Sequence, residues 1–182
     1  MRWDALFADM EAQMASAHQL AQDSEVSERL RTDFASIELA ARLHSQMGRH
    51  LKVDTGPPGS FEGVLSHVGR GWIVLQGRRP AVVALGHAVL VTGMDRYSAV
   101  EAPPARLGLA SALRGLSRDR AQVQVFLAGR PAASALDGSV DRVGKDFFEL
   151  SLTSRGEPRR AGNVRGVGLV PLHAVAAVCS AG

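Results

Sequence analysis

The sequence predicts an α+β protein in which a long N-terminal helix, or a helix pair, precedes two copies of a small antiparallel β-barrel. Three observations predict this class. Residues 2–47 contain no Pro or Gly and are rich in good helix formers. Short apolar runs with β-branched and aromatic residues, separated by glycines, then indicate small barrels or sandwiches of short strands. The second half of the chain finally repeats the first, and each copy is preceded by a helix.

Residues 1–48 are predicted to form a helical arm. Trp3, Leu6, Phe7 and Met10 recur at spacings of three and four and so share one helix face. A polar stretch near Asp23 leaves open whether the arm is one helix or two. A continuous helix of about 45 residues would be roughly 65 Å long, more than a small domain covers. The apolar stripe therefore predicts either packing on the barrels of the same chain or contact with a protein partner, such as a second copy of the chain. A membrane surface is disfavoured because the polar face is acidic.

Residues 49–101 are predicted to form the first barrel, and residues 105–182 a helix followed by the second barrel. The repeat is the basis for these bounds. The offset is 75 residues at first and becomes 87 after an insertion at 153–168 in the second copy. The matching positions include Gly63 and Gly138, Trp72 and Phe147, Leu75 and Leu150, Val83 and Val170, and Val91 and Val178. The two bulky aromatic residues are expected to fill the barrel interiors.

The order of one helix and five short strands resembles the Sm-like and SH3-like small barrels. Residues 170–175 (VPLHAV) resemble the closing strands of PRC-type barrels in ribosome-maturation factors. Residues 1–7 (MRWDALF), 141–144 (DRVG) and 156–160 (GEPRR) resemble a family of uncharacterised actinobacterial proteins, over essentially the whole chain. That resemblance implies tandem small barrels and brings no established activity. Sm proteins hold RNA bases with an Asp and an Asn in one loop, and the corresponding loops here contain no Asn.

Composition excludes several classes of protein. The chain is 46% hydrophobic, which is too apolar for a disordered protein, and no apolar run approaches a membrane-spanning length. A single cysteine and an N-terminus unlike a secretory signal predict a cytoplasmic protein. Charge is uneven, with a net of −3 over residues 1–50, +1 over 51–104 and +5 over 105–182.

Motifs for catalysis or cofactor binding are missing from the sequence. No His or Cys pair has metal-ligand spacing, and no glycine-rich loop has the pattern that binds nucleotides. Carboxylates show no paired arrangement for acid–base chemistry. The sequence thus predicts a binding protein with no cofactor and no metal, rather than an enzyme.

The basic second half is the candidate nucleic-acid interface, because arginine binds phosphate through two parallel hydrogen bonds. Its candidate residues are Arg114, Arg118, Arg120, Arg155, Arg159, Arg160 and Arg165. We expect RNA in preference to DNA. The alternative is a protein-interaction or oligomerisation scaffold that acts through the stripe of the N-terminal arm.

Overall fold

The computed structural model describes residues 34–35, 37–96, 106–154 and 163–181. The chain divides into two compact units, residues 1–38 and 39–182. The stripe of the predicted arm, Trp3 to Met10, lies outside the described residues. All helices and strands with described bounds belong to the second unit.

A helix followed by five strands occurs twice in the described part of this unit. The first half contains α1 (Leu39–His44), β1 (His50–Asp54), β2 (Ser60–Gly69), β3 (Trp72–Gln76), β4 (Ala81–Ala84), a 3-10 helix (Leu85–His87) and β5 (Leu90–Thr92). The second half contains α2 (Leu109–Arg118), β6 (Gln122–Leu127), a 3-10 helix (Ala132–Ser134), β7 (Leu136–Val143), β8 (Phe147–Leu152), β9 (Gly166–Pro171), a 3-10 helix (Leu172–Ala174) and β10 (Val175–Ser180).

The ten described strands form one antiparallel sheet in the order β5-β1-β2-β3-β4-β10-β6-β7-β8-β9. The first half contributes the order β5-β1-β2-β3-β4, and the second half contributes the equivalent order β10-β6-β7-β8-β9. The halves meet where β4 pairs with β10. The last strand of the second half therefore lies in the middle of the sheet.

The predicted α+β layout, with a long N-terminal helix and two small barrels, is wrong. The described residues form a single open sheet that carries two α-helices, α1 and α2. The physical reason is the β4–β10 ladder, which joins the two halves edge to edge. Hydrophobic alternation locates strands along the chain, but it does not specify which strand edges will pair.

Equivalent residues occupy equivalent places in the two halves. Both second strands are irregular at the same point, between Leu65 and His67 in β2 and between Val140 and Arg142 in β7. A Cβ on Gly63 would lie 2.4 Å from the carbonyl oxygen of Gln76. A Cβ on Gly138 would lie 2.2 Å from that of Ser151. Residues that are 75 positions apart in the sequence therefore occupy equivalent backbone positions in the two halves.

Two apolar cores lie on opposite faces of the strands at the junction. Side chains alternate between faces along a strand, and β4 sends Ala81 and Val83 into the first core while Val82 packs against the second. In β10, Cys179 belongs to the first core and Val178 to the second. Each core thus contains side chains from the other half, so the halves share their interior.

Contacts beyond the strand ladder reinforce the junction. The Ser180 N–H donates to the Pro80 carbonyl at 2.9 Å. The guanidinium of Arg79 donates to the Gln124 amide oxygen at 2.9 Å. The rings of Phe61 and Phe126, one from each half, meet edge to face with centroids 5.2 Å apart. Such aromatic pairs stabilise by roughly 0.5–1.5 kcal/mol beyond their buried area.

We expect Gly138→Ala to lower the free energy of unfolding by about 1–3 kcal/mol, because the new methyl group overlaps the Ser151 carbonyl. Urea denaturation measures the change. The control is Gly115→Ala, at an exposed helical position where an added methyl group would have no neighbouring atom within 4 Å and where alanine raises stability by up to about 1 kcal/mol. Equal stabilities of Gly138→Ala and the parent chain would contradict the close approach of β7 and β8.

Candidate functional site

Helix α2 presents the candidate arginines because its apolar side is fixed on the sheet. Leu113 is fully buried, and Leu109 and Leu116 pack on the second core from the same stripe. The indole N–H of Trp72 donates to the Leu107 carbonyl at 2.8 Å, which ties the segment before α2 to the first half. The Ser117 hydroxyl donates to the Asp141 carbonyl at 2.7 Å. The opposite side of the helix is left to solvent.

Three of the predicted arginines lie together at the end of this helix. Arg114, Arg118 and Arg120 are all exposed. One terminal nitrogen of Arg114 donates to the Gly144 carbonyl at 3.3 Å, in the loop that also carries Lys145. The structure therefore brings this part of the candidate set together with a lysine that sequence reasoning did not include.

Of the four remaining predicted arginines, only Arg165 belongs to the described residues. Arg165 is exposed just before β9, where its N–H donates to the Leu152 carbonyl at 2.9 Å. Arg155, Arg159 and Arg160 lie outside the described residues. The proposed partner-binding stripe also lies outside them and stays a prediction.

A cleft of about 560 Å³ opens beside the end of α2. It is lined by Ser117, Arg120, Val140, Asp141, Arg142, Glu149 and Val167. Arg142 binds the Glu149 carboxylate through two nitrogens, at 2.7 and 3.1 Å. The Ser151 hydroxyl donates to the Asp141 carboxylate. Both acidic groups of the cleft are thus already engaged.

Three exposed arginines have no acidic partner among the described residues: Arg118, Arg120 and Arg165. Of these, Arg120 lines the cleft, and Arg118 follows the cleft-lining Ser117 in the chain. Arg165 precedes the cleft-lining Val167 by two positions. Sequence reasoning missed Arg142 because it lies inside a strand.

Arg120 adopts a left-handed backbone conformation with φ of 46°. Its N–H donates to the Ser117 carbonyl at 3.2 Å, and the next N–H, of Ala121, donates to the Leu116 carbonyl at 3.3 Å. This pair of bonds is the Schellman motif that ends many helices, usually with glycine at the left-handed position. An arginine there strains the backbone by about 1–2 kcal/mol, while its charge favours the helix C-terminus.

The two aromatic residues expected to fill barrel interiors do not do so. Trp72 is buried on the face of β3 opposite to Ile73 and Leu75, and its ring covers Gly69. The equivalent Phe147 covers Gly144 and is 39% exposed. The following residues of each strand, Ile73 and Phe148, occupy the cores instead. A shift of one position along a strand reverses the face.

A second cavity, of about 770 Å³, opens at the rim of the first core. Its lining includes Phe61, Phe126, Arg78, Arg79 and Cys179. Burial raises the pKa of the Cys179 thiol to about 11, against the opposing effect of the nearby Arg79 charge. A thiol held in the protonated form is a poor nucleophile and a poor metal ligand.

The described residues offer neither a metal site nor a membrane-spanning helix. No group of three His, Cys, Asp or Glu side chains in the described ranges is placed to hold a metal ion. None of the described helices has the length and apolar character needed to cross a membrane. Comparison of the chain with models of known protein families and with curated proteins finds no match.

We expect the Cys179 thiol to make stability depend on alkaline pH. Its pKa is raised from about 9 to about 11 on folding, so its stabilisation is complete below pH 9 and is lost as pH rises toward 11. Between pH about 8 and about 10.5, the parent chain should lose about 2 kcal/mol more unfolding free energy than Cys179→Ala. Urea denaturation at the two pH values measures this difference. Parallel pH dependences would contradict the burial of the thiol.

We expect Arg120→Gly to raise the free energy of unfolding by about 1 kcal/mol, because glycine relieves the left-handed strain. Thermal denaturation in moderate salt, where the helix-dipole effect of the charge is weakened, gives the cleanest reading. The comparison variant Arg118→Gly changes the last residue of α2, which has no positive φ, and should be destabilised by up to about 1 kcal/mol. A destabilised Arg120→Gly would contradict this account of the helix end.

Proposed function

We propose that the chain is a non-catalytic cytoplasmic protein that binds nucleic acid, RNA in preference to DNA, through the arginines around the end of α2. The observation that carries the proposal is the group of exposed arginines without acidic partners among the described residues: Arg118, Arg120 and Arg165. Arg114 and Lys145 extend this group along the helix and the β7–β8 loop.

Phosphate suits this group better than a carboxylate ligand on a small molecule. Arg118 and Arg120 lie at the end of α2, Arg165 lies just before β9, and Arg120 also lines the cleft, so a polyanion with repeated charges suits them better than a single carboxylate. The acidic side chains within the cleft are bound by Arg142 and Ser151 and so repel phosphate less than free carboxylates would. Asp119 and Asp146 are exposed nearby and limit the affinity.

Base recognition contributes little in this proposal. Phe147 is the one large aromatic side chain among the described residues of this region that is substantially exposed, and stacking on aromatic rings supplies much of the affinity of single-strand binders. Binding should therefore depend mainly on phosphate contacts and should vary weakly with sequence. For three or four contacts on a single strand, affinity should fall roughly 20- to 50-fold between 50 and 200 mM salt.

The test is fluorescence anisotropy with a labelled single-stranded RNA, the matching single-stranded DNA and a duplex. We expect the tightest binding to RNA at low salt, and a drop of roughly ten-fold or more in the double variant Arg118→Gln/Arg120→Gln. Each neutralised contact should also reduce the salt slope by about 0.7. These arginines contact phosphate in the proposal, so the slope reports their role directly.

The matched control is Arg78→Gln/Arg130→Gln, which removes two exposed arginines at turns away from α2. The control should retain affinity within about two-fold of the parent chain. Failure to bind any of the three nucleic acids at low salt would refute the proposal. Equal losses of affinity in the two double variants would show that binding follows the net charge of the protein and does not depend on the arginines around α2.

A further inference from the structure

The described sheet ends at β5 on one side and at β9 on the other. β5 pairs with β1, and β9 pairs with β8, and neither has a second partner strand among the described residues. A strand at the edge of a sheet presents unpaired backbone groups that can accept another strand. These two edges are the open ends of an otherwise continuous ladder.

The internal repeat makes these edges the counterparts of the two strands that meet at the junction. β4 and β9 are both followed directly by a 3-10 helix. The first N–H of each 3-10 helix bonds an equivalent carbonyl, Leu85 to Gly71 at 2.9 Å and Leu172 to Asp146 at 2.8 Å. β5 and β10 then follow those helices. β9 is thus the counterpart of β4, and β10 is the counterpart of β5. The β4–β10 junction therefore already pairs one member of each kind.

We propose that β9 of one copy of the chain pairs with β5 of the next copy, head to tail, in the geometry of the β4–β10 junction. The junction pairs Val83 with Ala177, Val82 with Val178 and Ala81 with Cys179. Shifted by 87 residues, that register places Val170 opposite Leu90, Leu169 opposite Val91 and Gly168 opposite Thr92. The proposal rests on the sheet alone and does not depend on nucleic-acid binding.

Apolar side chains are exposed at both edges of the sheet, which supports the pairing of each edge with a further strand. Ala176 and Ala177 of β10 are fully buried, whereas their counterparts Val89 and Leu90 are 73% and 57% exposed. Leu169 of β9 is 67% exposed. Its counterpart, Val82, packs against the second core. Apolar side chains thus stand in solvent at the positions that the junction covers.

Pro171 sets the length of the proposed ladder. Its counterpart is Ala84, which lies outside the three-residue pairing of β4 with β10. Proline lacks the N–H that a longer ladder would use, and it is tolerated on edge strands. The contact between copies is therefore short, so assembly should depend on concentration. A head-to-tail contact also leaves one β5 edge and one β9 edge unpaired at the two ends of every open oligomer.

The test is sedimentation velocity of the full chain from about 10 to about 500 µM, where mass action separates weak assembly from none. We expect the weight-average mass to rise at least about two-fold above the monomer mass of 19.3 kDa. Leu90→Lys and Leu169→Lys should each hold the protein at or near the monomer, because each blocks one edge. Val64→Lys, on an interior strand, is the matched control and should assemble like the parent chain.

Mixing the two edge variants gives the decisive result. The Leu90→Lys copy keeps an intact β9 and the Leu169→Lys copy keeps an intact β5, so the mixture should form a dimer and nothing larger. A twofold β9–β9 contact would instead be unaffected by Leu90→Lys and would not be restored by mixing. Three outcomes would overturn the proposal. They are behaviour typical of a β9–β9 contact, a monomer at every concentration, and assembly that persists in both Leu90→Lys and Leu169→Lys. Circular dichroism spectra confirm that each variant is folded.

Discussion

The pairing of β4 with β10 is the contact on which the rest of the described fold depends. It converts two similar halves into one sheet and buries both faces of the strands beside it. Because side chains alternate along these strands, one ladder supplies both cores. Ala81 and Ala177 are both buried at this point. Neither half has a complete interior without the other.

Short strands beyond residue 48 could be predicted from apolar runs and glycine punctuation, because these features report local backbone preferences. The offset of 75 residues also relates matching positions in the structure, such as Gly63 and Gly138. The joining of the halves was not predictable in the same way. A ladder between residues about 95 positions apart leaves no local signature, and the alanine-rich sequences of β4 and β10 resemble any buried strand.

The placement of the candidate arginines could be predicted only where it depends on local structure. The grouping of Arg114, Arg118 and Arg120 follows from helical spacing and a helix end, both of which are local. The contribution of Arg142 required knowledge that β7 passes beside α2, which is a tertiary fact. The aromatic residues were misplaced for a third reason. A matching position in the repeat does not specify which face of a strand a side chain occupies, and Phe147 packs back over Gly144.

The position of β10 has a consequence for the order in which the sheet assembles. The strand that fills the centre follows all nine of its described companions in the chain. During synthesis, β4 and β6 emerge early and must wait with facing edges exposed until β10 arrives. The loop that must close between β4 and β10 is long, which favours slow formation of this final ladder. A nascent chain of this design is therefore most vulnerable to mispairing with its neighbours on a polysome in the interval before residues 175–180 appear.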